Sequence, residues 1–309
     1  MLSGTLGAPV GIPIVGASFA LGEELHGLAQ RGEVRVRIRT DTIAENRETA
    51  NVIGETGGGA ADRVVVVGAH LDSVPDGPGI NDNGSGTATL LEVAIQMSRL
   101  GIAPTNRLRF AFWGAEEWGL LGSTHYVDQL PEEERKKILL NLNFDMLGSP
   151  NPVRFVYDGD GSDGGPAGPA GSADIEDVFL DYFRGQNLPT LPTAFDGRSD
   201  YGPFIAQGIA AGGLFSGAEG LKTPEQAQVF GGTAGEAYDR CYHQACDDLA
   251  NNDDRSLDEL SDAAAHATLH FATIPPPAVV AALVAGVERA AAGVPLETLP
   301  FRGEAQLQK

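Results

Sequence analysis

Four consecutive valines, Val64-Val65-Val66-Val67, run without a polar break into Gly68-Ala69-His70-Leu71-Asp72-Ser73. A β-branched run with no alternation predicts a strand covered on both faces, and its abrupt end in His and Asp sets polar groups at one edge of a sheet. The loop that follows, Gly79-Ile80-Asn81-Asp82-Asn83-Gly84-Ser85-Gly86, brings another Asp to that edge. Two more stretches rich in large apolar residues, 108–113 and 139–145, read as strands; Glu116-Glu117 follows the first and Asp145 ends the second. Period-two alternation in Val34-Arg35-Val36-Arg37-Ile38-Arg39 predicts a strand with one wet face, and further strands are expected at 12–15, 51–55 and 208–215.

Helical spacing fills the intervals. Ser18 caps a helix over 18–31 with Leu21, Leu25 and Leu28 on one face, and a helix over 86–100 buries Leu90, Leu91, Ala94, Met97 and Ser98. Further helices are expected at 120–130, stopped by Pro131, at 174–184, just after the turn 195–204, and at 258–274. The Gly/Asp/Pro-rich stretch 158–172 reads as a surface excursion, 216–239 as a loop, and Gly57-Gly58-Gly59 as a turn without the spacing of a phosphate loop. Pro275-Pro276-Pro277 separates the last helix from a tail whose 278–292 is amphipathic. Strands alternating with helices predict an α/β fold, a three-layer sandwich around a mostly parallel sheet, with ligands off the carboxyl ends of its strands.

At 309 residues and 42% hydrophobic, the chain is long enough for one large core with an appendage. Its 42 acidic against 21 basic residues argue against nucleic acid or an anionic membrane as partner. No segment reaches the roughly 18 uninterrupted apolar residues of a membrane span. Residues 1–22 lack the basic start of a signal peptide and are broken by Pro9 and Pro13. The only cysteines, Cys241 and Cys246, flank Tyr242-His243-Gln244-Ala245. That spacing allows a small disulfide loop, free thiols or half a zinc site; the disulfide is preferred, and with it an oxidising compartment.

Singly, a histidine after a strand is more often structural than a ligand, and paired glutamates usually open a solvated helix. Coincidence shifts the balance: His70, Asp82, Glu117 and Asp145 all fall at or just beyond the ends of three expected strands, and His243 sits in the cysteine-flanked loop. Two imidazoles and three carboxylates suit two zinc ions sharing a bridging carboxylate. Glu116, next to Glu117, is then free to carry a proton.

The segments Gly68–Ser73, Gly79–Gly86, Trp113-Gly114-Ala115-Glu116-Glu117, Asn143-Phe144-Asp145-Met146, Gly197-Arg198-Ser199-Asp200 and Cys241–Cys246 resemble, in order, the di-zinc aminopeptidases of the aminopeptidase Y and bacterial secreted type, a zinc exopeptidase fold of the phosphorylase/hydrolase kind. The resemblance covers about 51–274. It implies an N-terminal peptide-bond hydrolase preferring apolar N-terminal residues. His70 and Asp145 would hold one zinc, Glu117 and His243 the other, with Asp82 bridging. Glu116 would be general base, Tyr242 the donor to the oxyanion, and Asp72 the carboxylate that orients His70. Glu116, Asp145 and the backbone carbonyl of Arg198 would read the substrate's free amine, and Met146 and Phe215 would line its side-chain pocket. Cys241 and Cys246 would form a disulfide fixing the loop of Tyr242 and His243. The partner implied is a peptide or protein with a free N-terminus, and the location secreted.

Residues 1–33 resemble the end of a protease-associated domain, giving the division 1–33, peptidase domain 34–274, and linker with tail 275–309. The front of that domain and the opening helix of the peptidase domain have no counterpart here, so Met1 is expected to be an internal start or a fragment boundary and the sheet to keep exposed apolar surface. A same-fold carboxypeptidase or glutaminyl cyclase, or a silent truncated binding module, are the alternatives. His26, His125, His266, His270, Trp113 and Trp118 receive no site role. Asp247, Asp248, Asp253, Asp254 and Asp262 read as a solvated acidic group, and calcium is not predicted. Tyr201 stands where many relatives carry His.

Overall fold

A computed structural model describes residues 10–41 and 46–274. Seven strands form one sheet in the order β1-β3-β2-β4-β7-β5-β6. They are β1 (Val52–Glu55), β2 (Ala60–His70), β3 (Asn106–Trp113), β4 (Ile138–Phe144), β5 (Phe155–Tyr157), β6 (Leu191–Thr193) and β7 (Ala210–Phe215). The central strands β3, β2, β4 and β7 run parallel, while β1 and β5 each pair antiparallel with their neighbours β3 and β7.

The valine run shows why the middle of the sheet has two dry faces. Val65 and Val67 point into the layer of α2 (Gly86–Arg99), α5 (Ser172–Gly185) and α8 (Asp254–Thr273), against Leu90, Phe179 and Phe271. Val64 and Val66 point the other way, toward Val127 of α3 (Leu121–Gln129) and Phe204 of α6 (Tyr201–Ala206). Helix–sheet–helix layering is the three-layer sandwich expected. Close approach of α5 depends on the small residues of β7: a Cβ at Gly212 would sit 2.4 Å from Ile175 Cγ2.

Several expected elements differ. Residues 12–15 and 34–39 pair with nothing as strands, and Ile12, Ile14, Val36 and Ile38 are exposed, because alternation alone does not supply a partner edge. The helix α1 (Phe19–Arg31) forms with its Ser18 cap but buries no residue, so its leucine face is not a core face. In α2 the buried positions are Gly86, Thr89, Leu90 and Met97, with Val93 and Ala94 half-buried and Leu91 and Ser98 exposed: the buried face is turned toward Thr89 and away from the side that carries Leu91 and Ser98. The expected loop 216–239 holds α7 (Pro224–Phe230), and a four-residue turn of helix, α4 (Glu132–Arg135), follows Pro131. The strands β5 and β6 had no expectation. The amphipathic stretch 278–292 lies outside the described residues. Among the described residues, no helix is long and apolar enough to cross a membrane.

Candidate metal centre

Three parallel strands deliver the site. β2 ends in His70, β3 runs into the turn with Glu116 and Glu117, and β4 leads into Asp145. Asp82 lies in the irregular helical turn 80–85 between β2 and α2, where its peptide bond to Asn83 is cis. Ala115, Met146 and His243 take positive φ of 57°, 56° and 58°, backbone that L-residues adopt at a cost and that here turns the chain sharply at each ligand segment. Gly86 starts α2 hard against the end of β4, where a Cβ would lie 2.3 Å from the Phe144 carbonyl oxygen.

His70 donates from Nδ1 to the Asp72 backbone carbonyl at 3.0 Å, which leaves Nε2 facing Asp82 Oδ1 at 3.1 Å and Asp145 Oδ1 at 3.3 Å. His243 Nε2 lies 2.9 Å from Asp82 Oδ2 and 2.9 Å from Glu117 Oε1. Asp82 thus offers one oxygen to each imidazole. Two clusters result, His70/Asp82/Asp145 and Asp82/Glu117/His243, with ligand atoms inside each within 4.8 Å of one another. The donor set fits zinc: imidazole nitrogens and carboxylates in two groups of three, joined by one carboxylate, with the His70 tautomer fixed from behind. This is a di-zinc arrangement. A third carboxylate cluster, Asp158/Asp163/Glu176, lacks histidine, and backbone N–H groups of its own loop donate to it.

Imidazoles and carboxylates this close shift one another's protonation. Burial opposes a charged His70, but Asp145, Asp72 and Asp82 outweigh it and raise the imidazole well above its ordinary value. His243 rises to about 9, burial again opposing and Asp82 and Glu117 prevailing. Asp82, despite burial, is lowered by both histidines. Burial also pushes Glu116 up, with Glu117 and Asp145 adding to it against the pull of His70. Glu116 is a buried carboxylate outside both clusters, at the wall of the adjoining pocket.

That pocket encloses about 60 Å³ and is lined by Asp82, Glu116, Glu117, Asp145, Met146, Tyr157, Arg198, Phe215 and Tyr242, among others. Of the residues singled out from the sequence, Asp82, Glu116, Glu117, Asp145, Met146, Arg198, Phe215 and Tyr242 line this pocket, and His70, His243 and Asp72 contact members of that lining, while exposed Trp118 lies outside it. Asp72 differs in part from its expected role. Its Oδ1 is 3.6 Å from His70 Nδ1, while its two oxygens accept the backbone N–H groups of Glu116 at 2.9 Å and Glu117 at 3.2 Å. Arg198 reaches the site with its side chain, donating from Nη2 to the Tyr242 hydroxyl at 3.2 Å. Tyr201 is buried, belongs to neither metal cluster, and donates to Asp196 Oδ1 at 2.7 Å. Cys241 and Cys246 are joined in a disulfide, and the Tyr242 ring stacks on His243 with centroids 3.9 Å apart.

Sequence reasoning passed over the residues that hold these loops. Asp247, read as solvated, is 1% exposed, and Asp239 equally so. Asp247 accepts the backbone N–H groups of Asn81 and Asp82, and Asp239 accepts the Asn81 side chain at 2.7 Å. Asp248 and Asp253 cap the helical turns that follow them. Ser199 donates to Asp145 Oδ2 at 2.6 Å. The available signal was position: Asp239 and Asp247 bracket the cysteine loop within two residues of either end.

Comparison with known proteins agrees with the geometry. The chain is 53% identical over 258 residues to an aminopeptidase of Pseudomonas aeruginosa, covering 84% of this chain and 47% of that one. It is 50% identical over 252 residues to leucine aminopeptidase 2 of Trichophyton equinum, covering 81% and 50%. In structure it resembles a zinc aminopeptidase from Bacillus subtilis, with TM-score 0.59 and 30% identity over 72% of this chain and 50% of the other. The chain thus spans about half the length of the relatives it matches. Residues 51–268, which include every metal-cluster residue, match the family directly: the chain belongs to peptidase family M28.

Proposed function

We propose that the chain is a two-zinc aminopeptidase that hydrolyses the first peptide bond of peptides and proteins with a free, preferably apolar N-terminal residue. The observation that carries this is Asp82, one oxygen toward each histidine, beside a pocket walled by the uncommitted carboxylate of Glu116. His70 and Asp145 would hold one zinc, Glu117 and His243 the second, and Asp82 both. Zinc held there would supply Lewis acidity toward the carbonyl and a water acidified near neutral pH.

The rest falls to side chains. Glu116 takes the proton of the attacking water as the carbon–oxygen bond forms, then gives it to the leaving nitrogen as the carbon–nitrogen bond breaks. Tyr242 donates to the carbonyl oxygen as negative charge gathers there. Glu116, Asp145 and the Arg198 carbonyl accept from the substrate ammonium group, which makes a free N-terminus the requirement. Met146 and Phe215 receive the apolar side chain. Asp72 holds the Glu116-Glu117 turn and His70 together. A carboxypeptidase would need a free cation for the terminal carboxylate, and Arg198 is already engaged by Glu219 and Tyr242.

Secretion belongs to the same reading, supported by the disulfide. So does the division into a protease-associated tail at 1–33, a peptidase domain at 34–274 and a linker with tail at 275–309; its support is that α1 buries no residue and the family match spans 51–268. The test is hydrolysis of amino-acid 4-nitroanilides, lost with chelator and restored by zinc. Folded, zinc-loaded protein that leaves leucine and phenylalanine 4-nitroanilides untouched overturns it.

A further inference from the structure

Arg198 lies at the pocket rim with each end of its guanidinium engaged. Nη2 donates to the Tyr242 hydroxyl oxygen at 3.2 Å, and Nη1 pairs with Glu219 Oε1 at 2.9 Å. A guanidinium has donors only. At this contact the phenol oxygen must accept, so its own proton is directed away from Arg198. The ring cannot swing to change that direction freely, because it stacks on His243 at 3.9 Å and 30°. With ring and oxygen both held, the remaining in-plane position of the O–H bond is fixed. Tyr242, Arg198 and Glu116 line the same pocket.

We propose that Arg198, anchored by Glu219, is a positioning residue that aims the Tyr242 hydroxyl proton at the substrate carbonyl oxygen. The proposal rests on the aminopeptidase reading and extends it to two residues outside the metal clusters. A hydroxyl that needs no reorientation as charge develops is more effective than one that must rotate into place. The cation behind the phenol also strengthens it as a donor, since a charge-assisted contact polarises the O–H bond.

The backbone of this turn is held independently of the Arg198 side chain: the Arg198 N–H donates to Asp196 Oδ1 at 3.0 Å, and the buried Tyr201 hydroxyl donates to the same oxygen at 2.7 Å. The side chain can therefore be replaced without dismantling the turn.

The experiment is a double-mutant cycle of Arg198→Met and Tyr242→Phe on the full chain, with Arg198→Lys and Glu219→Gln alongside. Three quantities are read: kcat and KM on leucine 4-nitroanilide, zinc per chain, and the ¹³Cζ shift of Tyr242 in tyrosine-labelled metal-free protein, assigned with Tyr242→Phe among the six tyrosines. Arg198→Met is expected to lower kcat by about 10–100-fold with KM nearly unchanged and two zinc ions retained, and Arg198→Lys to restore part of the loss. In the Tyr242→Phe background the same substitution is expected to change kcat by less than about twofold. The Tyr242 ¹³Cζ shift should move in Arg198→Met and, by less, in Glu219→Gln. Equal losses in both backgrounds, or an effect confined to KM, overturn the proposal. Should the wild type cleave no aminopeptidase substrate, the functional reading fails by itself, and an unmoved ¹³Cζ resonance separately overturns the aiming of Tyr242.

Discussion

Asp247 accepts the backbone N–H of Asp82 through Oδ2 at 3.0 Å. Its Oδ1 accepts the Asn81 N–H at 2.9 Å, and its own carbonyl accepts that of Ile80 at 3.0 Å. Three consecutive amides of the bridging loop are thus satisfied by one residue at the foot of the disulfide loop. The spacing between Asp82 and His243 is set by protein contacts before any metal enters.

Asp247→Ala strands two buried amides. It is expected to cost on the order of 2–4 kcal/mol of folding stability and to weaken zinc at the His243 cluster, as read by denaturant unfolding and zinc per chain. Unchanged stability with two tightly held zinc ions contradicts the clasp.

Glu116 belongs to neither cluster, so Glu116→Ala separates holding metal from moving protons. The variant is expected to keep two zinc ions while kcat falls about 10²–10⁴-fold. Turnover near the wild-type rate removes Glu116 from the proton transfer.

The disulfide closes a loop with a sequence separation of only 5, so its effect on global stability is bounded at about 2 kcal/mol. Its local effect is larger, because Tyr242 and His243 lie inside it. Replacing both cysteines by serine is expected to lower zinc affinity and kcat well beyond the change in unfolding free energy. Losses no greater than the stability change explains would leave the loop without a positioning role.

In the metal-free protein His243 sits near 9, above its ordinary 6.5. A histidine raised by folding stabilises the native state fully below its unfolded value and loses that contribution as pH climbs through the folded one. The metal-free melting temperature is therefore expected to fall between about pH 6.5 and 9. Zinc, which binds neutral imidazole, should flatten that slope. A metal-free melting temperature that rises over the window contradicts the assignment.

The centre of the sheet was legible because β2 holds four consecutive valines and β3 and β4 are rich in large apolar residues, with His70 ending β2 and Glu117 and Asp145 lying just beyond β3 and β4. β5 and β6 have three residues each, too few to show a period. The strand expected at 34–39 failed for the opposite reason: its alternation is clear, yet a period marks a face and not a neighbour. A readable signal was overlooked in Thr223-Pro224-Glu225-Gln226, a capping box with proline at the first helical position, which starts α7. Asp239 and Asp247 were hidden by composition, since an acidic chain offers many Asp residues that face water. Which of them turn inward depends on amides supplied by Asn81 and Asp82, about 160 residues earlier.

The most direct measurement compares one apolar peptide carrying a free N-terminus with the same peptide acetylated there, incubated with protein holding two zinc ions per chain and followed by mass spectrometry. The expected result is loss of the first residue from the free peptide alone, abolished by chelation. Zinc-loaded, folded protein that cleaves both alike, or neither, contradicts the two-zinc aminopeptidase.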